Sequence, residues 1–283
     1  MAMTTDSRPW VLVRGGGDIA TGTILRLYRC GLRVVVTECR NPSAIRRKAA
    51  LCEAVFQGET AVEGITCRRI DRPEEAEAVF AQDIIPLLVD EQLDCLPVLK
   101  PAAVVDAILA KRNLGTSRDM APITVGLGPG FCAGEDVDAV VETQRGHHLG
   151  RVILSGPAIP NTGVPGVIGG FSRERVIHSP AAGPMTFVKD EKGNTVDIGA
   201  VVHKGQVIAR VGETPVYATL DGVLRGLIRE GFPVTDRLKI ADIDPRLEQA
   251  AYCDTVSDKA RAVGGGSLEA LLMLAHRRKI RLL

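Results

Sequence analysis

The sequence predicts an α/β protein: a parallel sheet wound past a glycine-rich turn, followed by a small β barrel or sandwich. Three observations predict it. A valine-rich run breaks into glycines in "VLVRGGGDIATG" (Val11–Gly22), buried-strand and helical patterns then alternate, and short β segments from about Val167 to Asp244 repeat at a constant offset.

Composition narrows the function classes. With 283 residues, of which 45% are hydrophobic, the chain can bury a sizeable core. Lysine and arginine total 35 against 34 acids, so a net charge of +1 gives no electrostatic reason to expect nucleic acid or an anionic membrane as partner. No apolar run approaches the roughly 20 residues needed to cross a bilayer, and Met1–Pro9 lacks the basic start and apolar stretch of a signal peptide, which predicts a cytoplasmic protein. Seven cysteines without a C-x-x-C pair read as reduced core residues, and no metal site is predicted.

The first strand is Trp10–Arg14, which alternates little and is rich in valine, as a strand buried on both faces should be. Gly15, Gly17 and Ala20 then fit G-x-G-x-x-[GA], where the glycines turn the chain and let backbone approach a pyrophosphate. A helix is expected from about Ile19 to Cys30, with Ile24, Leu27 and Tyr28 on one face and Gly31 as its stop. Its N-terminus points free N–H groups at whatever sits over the glycines. The second strand, "LRVVVTE", ends at Glu38, 21 residues after Gly17, close to the spacing of a ribose-binding acid. Arg40 could meet a 2′-phosphate, so NAD and NADP both stay open.

Next, "NPSAIRRKAALCEAVFQG" predicts a helix opened by Pro42, with Ile45, Ala49, Cys52 and Phe56 as its apolar stripe and Arg46 and Arg47 within reach of an anion over the Gly15 turn. "DIIPLLVD", "EQLDCLPVLKP" and "AAVVDAIL" predict strand, short helix and strand, placing Asp90 and Asp106 near strand ends as ligand contacts or helix caps. Ile123–Leu127 is a further strand, followed by a second glycine burst that includes Gly128 and Gly130. Cys132 in that burst is a candidate nucleophile, its thiolate favoured by nearby N–H groups. The run from Val140 to Leu154 reads as strand, turn and strand; His147 is a candidate general base, and His147 and His148 are poor joint metal ligands.

"SGPAIPNTGVPGVIGG" marks a domain boundary. Beyond it, Gly199, Val202 and Ile208 match Gly231, Val234 and Ile240 at an offset of 32 in every pair. The pattern resembles the biotinyl/lipoyl hammerhead fold, whose modified lysine sits on a hairpin. No lysine occurs between Gly205 and Leu238, and Lys204 precedes the hairpin, so a carrier role is rejected. Finally, "DTVSDKARAVGGGSLEALLMLAHRRK" predicts an N-cap at Ser257, a short helix, a break at Gly264–Gly266, and a second helix bearing Leu268, Leu271, Leu272 and Ala275. The expected domains are a Rossmann-like nucleotide-binding domain over 1–165, a β domain without attachment lysine over 166–245, and C-terminal helices over 246–283 packing back on the first.

Together, "VRGGGDIATGTILRL", "NPSAIRR", "VVDAILAKRNLGT", "AGEDVDAVVETQRGHHLGRVI" and "VSDKARAVGGGSLEA" resemble the YqeB-type proteins associated with selenium-dependent molybdenum hydroxylases, which are distantly similar to the XdhC/CoxI maturation factors. The resemblance spans nearly the whole chain. It implies an accessory role in maturing or inserting a molybdenum cofactor, with the hydroxylase or its maturation machinery as partner and self-association open. The cofactor is then a nucleotide-type ligand, NAD(P) or a molybdopterin dinucleotide. Its predicted contacts are Gly15, Gly16, Gly17, Asp18, Ile19, Glu38, Arg46, Gly128 and Gly130. The alternative is an NAD(P)-dependent oxidoreductase, although no Tyr-x-x-x-Lys is present.

Overall fold

A computed structural model describes residues 8–164 and 166–283. Residues 1–7, within the stretch read for a signal peptide, and Pro165, at the expected boundary, lie outside the described residues. The chain divides into two compact units: the described parts of Met1–Pro42, Leu51–Asn161 and Val256–Leu283, and those of Ser43–Ala50 and Thr162–Thr255.

The first unit is mixed α/β. Its strands are β1 (Trp10–Arg14), β2 (Arg33–Glu38), β3 (Glu59–Val62), β4 (Ile65–Ile70), β5 (Ile85–Val89), β6 (Ala103–Asp106), β7 (Ile123–Leu127), β8 (Cys132–Ala133), β9 (Ala139–Val141), β10 (Val152–Ile153) and β11 (Gly156–Pro157). Its helices are α1 (Asp18–Arg29), α2 (Ala54–Gln57), α3 (Ala76–Phe80), α4 (Leu96–Leu99) and α5 (Asp258–Arg278). One sheet has the order β10-β9-β7-β6-β1-β2-β5-β4-β3, parallel from β9 to β4 with an antiparallel strand at each edge. β8 and β11 form a separate antiparallel pair. The chain thus starts mid-sheet, winds one way through β2, and returns to the other side of β1 at β6.

Strand periodicity explains why β1 and β2 are apolar without alternation. Val11, Val13, Val34, Val36 and Val105 face a core shared with α1 and α5. Trp10, Leu12, Val35 and Val104 face a second core with Val79 of α3 and Leu99 of α4. A sheet covered on both faces needs no polar side. α1 ends where Gly31 takes φ +84° and Leu32 N–H returns to Leu27 O at 3.2 Å.

Two predicted elements are corrected. The helix expected from Pro42 is absent: 3₁₀ turns occupy Arg47–Ala49 and Leu51–Glu53 before the four residues of α2. Within Ser43–Ala50, Ile45 packs on the second unit's core, Ile45 O accepts from Leu227 N–H at 2.8 Å, Arg47 Nε donates to Leu227 O at 2.7 Å, and Lys48 Nζ donates to Ile198 O at 2.7 Å. Those tertiary bonds override the helical stripe. The break expected at Gly264–Gly266 is also absent, because α5 runs unbroken from its Ser257 cap, whose hydroxyl accepts from Ala260 N–H at 3.1 Å. Two of its glycines serve packing, as Gly264 lies against the backbone of Gly22 in α1 and Gly266 against that of Gly150.

The second unit holds β12 (Val176–His178), β13 (Gly183–Phe187), β14 (Val201–Val202), β15 (Val207–Val211), β16 (Thr214–Tyr217), β17 (Gly222–Leu227), β18 (Pro233–Val234) and β19 (Lys239–Asp244). They form two antiparallel sheets of order β12-β19-β17-β14 and β16-β15-β13-β18. The repeat is visible as an exchange: Val202 of β14 pairs with Gly222 of β17, and Val234 of β18 pairs with Gly183 of β13. Val202, Ile208, Val234 and Ile240 are all buried in this unit's core. Residues 246–255, expected to begin the C-terminal helices, belong here and include a 3₁₀ helix at Leu247–Tyr252.

Candidate functional site

Winding reverses between β1 and β6, and in open α/β sheets the carboxyl ends of two such strands frame a crevice. Here a polar knot lies at those carboxyl ends. Asp106, 1% exposed, ends β6; its Oδ1 accepts from Ile108 N–H at 3.1 Å and its Oδ2 from the Thr116 hydroxyl at 2.6 Å. Arg14 ends β1 and lies 3.4 Å from Asp106, donating also to Thr116 Oγ1 at 3.0 Å, Leu114 O at 3.1 Å and Glu91 O at 3.1 Å. The arginine's charge is spent inside the protein. Thr37, paired with Arg14 across β1 and β2, is fully buried, and its hydroxyl has no partner among the described residues.

Beside this knot lies the glycine turn. Gly15 has φ +102°, its N–H donates to Thr37 O at 2.7 Å, and a Cβ there would sit 3.1 Å from the backbone of Ala107 and Ile108. Only glycine fits such a conformation against such a neighbour. Gly16 is equally close to Cys52, whose N–H donates to Gly16 O at 2.8 Å. Gly17 differs: it caps α1 at φ −63° and ψ 179°, and a Cβ there would meet nothing within 4 Å. Asp18 follows in the first helical turn, and half-buried Ile19 packs on the core.

Glu38 closes the turn from β2. Its Oε2 accepts from Gly16 N–H at 2.7 Å and its Oε1 from Cys39 N–H at 2.8 Å. The Cys39 thiol also hydrogen-bonds to it, so of a carboxylate's roughly four acceptor positions about one remains for a ligand, and Glu38 is only half-buried. The surroundings are acidic. Burial first, and then the charge and hydrogen bond of Glu38, push the Cys39 thiol up to about 12. Burial followed by Glu38, Glu53 and Asp18 holds Cys52 protonated as well. Neither thiol is a nucleophile at neutral pH.

The structure brings Gly15, Gly16, Gly17, Asp18, Ile19 and Glu38 together and adds Arg14, Thr37, Cys39, Cys52, Asp106 and Thr116. Of the additions, only Asp106 carried a signal, as an acid ending a predicted strand. Other predicted residues lie elsewhere. Arg46 belongs to the second unit, where it is buried and donates to Tyr252 O at 3.3 Å and Thr255 O at 3.0 Å. Gly128 packs on Thr143, and a Cβ on Gly130 would lie 2.6 Å from Arg112 N, so these glycines accommodate protein rather than open space. Cys132 sits in β8, its N–H donating to Asp136 Oδ2 at 2.8 Å; burial and the nearby Glu135 raise its thiol, the reverse of the activated thiolate expected. His147 lies exposed in the turn before β10, its ring 5.1 Å from that of His148. Asp90 caps the turn into α4 by accepting from Asp94 N–H at 3.0 Å and Cys95 N–H at 2.9 Å. Among the described residues no cluster of three His, Cys, Asp or Glu side chains could hold a metal ion, and no helix is long and apolar enough to cross a membrane.

No protein-family model matches the chain. A curated relative, the uncharacterized YqeB protein of Escherichia coli K12, is 52% identical over 266 residues, 94% of this chain. The chain spans about half, 48%, of that relative's length. Among solved structures, the product-bound ectoine utilization protein EutE (DoeB) from Ruegeria pomeroyi matches at 15% identity and a TM-score of 0.24, covering 83% of this chain and 85% of that one. A likeness that weak carries no argument.

Proposed function

Across 94% of its length the chain is of the YqeB type, and from that premise we propose that it is an accessory protein for maturing or inserting the molybdenum cofactor of a selenium-dependent molybdenum hydroxylase. In this reading its large sheet is a Rossmann-like nucleotide-binding domain. The second unit is a barrel-sandwich module, with the hairpin between β15 and β16 turning at Gly212 and Glu213 and bearing no attachment lysine. The partner is the hydroxylase or its maturation machinery, and the compartment is the cytoplasm.

The observation that carries the nucleotide reading is the pairing of Gly17 with Glu38. Gly17 leaves open space at the N-terminus of a twelve-residue helix, and Glu38 keeps acceptor capacity beside it. A pyrophosphate over Gly17 would meet the helix N–H groups, and a ribose diol would donate to Glu38. The protein's part is then to bind and orient the ligand.

An NAD(P)-dependent oxidoreductase is the second reading, favoured by the same acid at the end of β2. It lacks proton chemistry at the turn, since Cys39 and Cys52 are held protonated and His147 lies in an exposed turn beyond β9.

Calorimetric titration with NAD, NADP, CTP and molybdopterin cytosine dinucleotide, with Gly17→Val as control, tests the proposal. Tight binding of the molybdopterin nucleotide, lost in Gly17→Val, is expected. Binding of NAD or NADP alone would replace the accessory role with the oxidoreductase, and no change in Gly17→Val would remove the turn from the site.

A further inference from the structure

The rim of the glycine turn continues from β2 to β5. Glu38 and Val89 pair across these parallel strands, and Asp90 N–H donates to Glu38 O at 3.0 Å, which leads the chain after β5 past the Glu38 backbone. Glu91 comes next, exposed but held twice: its carbonyl accepts from the Arg14 guanidinium at 3.1 Å, and its Oε1 accepts from Arg40 N–H at 3.1 Å. Glu38 takes the adjacent Cys39 N–H through its own Oε1. Two consecutive amides thus receive one carboxylate each, one from the end of β2 and one from the loop after β5. Loop side chains fixed this way by a rigid sheet are suited to contacting a ligand.

Hydrogen-bonding capacity decides what this rim can read. Three of its backbone donors, Gly16 N–H, Cys39 N–H and Arg40 N–H, are taken up by the two carboxylates. What is left over is acceptor: about one position on Glu38, and Glu91 Oε2, which has no partner among the described residues. A ligand edge at the rim must therefore bring N–H or O–H donors. In the proposed pose a ribose hydroxyl takes the position on Glu38, and the base, next along the strand ends, comes to Glu91.

We infer that Glu91 selects the base of the nucleotide, accepting one that carries an exocyclic amino group, such as cytosine or adenine, over one with a carbonyl oxygen in its place, such as uracil or hypoxanthine. This rests on the nucleotide reading above and goes beyond it, since the glycine turn and Glu38 are blind to the base. An amino group donates to a carboxylate, whereas a carbonyl oxygen is repelled by it, and the ring N–H of uracil is flanked by two such oxygens. A site built to accept a hydrogen bond rejects an analogue without the donor, because its own polar group is left unpaired.

Calorimetry with two matched pairs tests this: CTP against UTP, and NAD against its hypoxanthine analogue, each with the full chain, Glu91→Gln and Gly17→Val. In whichever pair binds, the amino-bearing member is expected to bind about tenfold more tightly, well short of a fully buried site because Glu91 is exposed. Glu91→Gln keeps an acceptor for Arg40 N–H and adds a donor that a carbonyl can use, so the gap should close to within about threefold while the protein melts with the parent. Equal affinities within a pair, or a gap that persists in Glu91→Gln, would remove Glu91 from base selection even where Gly17→Val abolishes binding. Binding that survives Gly17→Val, or no nucleotide binding at all, would take down the nucleotide reading and this inference with it.

Discussion

Gly22 of α1 and Gly264 of α5 meet backbone to backbone: a Cβ on Gly264 would lie 2.5 Å from Gly22 O, and one on Gly22 would lie 2.5 Å from Ala260 O. The crossing is reinforced where Thr23 Oγ1 lies 3.4 Å from Ser267 Oγ. Gly265, one residue on, has open space around it. Gly22→Ala and Gly264→Ala should each destabilise by about 2–3 kcal/mol through overpacking. Gly265→Ala should stabilise by up to about 1 kcal/mol through helix propensity. Urea unfolding of the three variants checks the contrast, and a Gly264→Ala protein as stable as the parent would refute the close crossing.

Glu38 holds Gly16 N–H and Cys39 N–H. Glu38→Ala leaves both donors without their acceptor and should cost about 1–3 kcal/mol, read by thermal or urea unfolding. If a nucleotide occupies the turn, the carboxylate also repels a 2′-phosphate, so NAD should bind at least tenfold more tightly than NADP, and Glu38→Gln should narrow that gap. Equal affinities in the parent protein would separate Glu38 from the ribose.

Asp138, with a side chain 2% exposed, joins Arg278 of α5 (2.7 and 2.8 Å), Arg118 (2.9 Å) and Thr124 N–H (2.9 Å). Burial works to raise its carboxyl, but the hydrogen bonds from Arg278, Thr124 and Arg118 outweigh it, and the group titrates below its ordinary value. A depressed carboxyl stabilises the fold above its unfolded value of roughly 3.9 and loses that contribution as pH falls through the folded value. Asp138→Asn should therefore be less stable at pH 7 by about 2 kcal/mol, less than a fully buried pair because Arg278 keeps a third of its side chain in water. Its stability should also fall less steeply below about pH 4. Glu63 and Asp244 are depressed in the same sense, so the slope should shrink without vanishing. Identical pH profiles for parent and variant would discount the Asp138–Arg278 network.

Thiol reactivity distinguishes the cysteines. Cys30 is exposed on the surface, whereas Cys52, Cys67, Cys95 and Cys253 are buried, and the thiols of Cys39 and Cys132 are raised. Iodoacetamide at pH 7.5 should modify Cys30 first and leave Cys132 largely unmodified in the same interval, as mapped by peptide mass spectrometry. Rapid alkylation of Cys132 would restore it as a candidate nucleophile.

Local chemistry was enough to read β1, α1, β2 and β7. Valine runs covered on both faces, the glycine turn and the stop at Gly31 all act within a few residues. Readings failed where a distant partner decided the outcome. Ile45–Phe56 carried a helical stripe, yet bonds from Ile45, Arg47 and Lys48 to residues some 150 to 180 positions away pulled the chain out of a helix. Gly264–Gly266 looked like a break because glycine weakens a helix; the use of Gly264 and Gly266 is visible only beside Gly22 and Gly150. The β3–β4 hairpin went unread because β3 is a short, mostly exposed edge strand with little apolar pattern. Within the site, the glycines and Glu38 were legible from spacing, whereas Arg14, Thr116 and Cys52 enter through folding alone.

The position of α5 along the chain bears on how the protein is made. Its partner α1 emerges from the ribosome some 240 residues earlier, and the whole stretch 162–255 is synthesised between them. Until α5 is translated, the groove around Gly22 and the sheet face carrying Val125 and Val141 lack the helix that covers them. The second unit, complete by residue 255, can close first. Co-translational folding would then run inside out, with the later segment finishing before the earlier one, and the nascent α1 surface would be the place where a chaperone or a stalled neighbour finds exposed apolar chain.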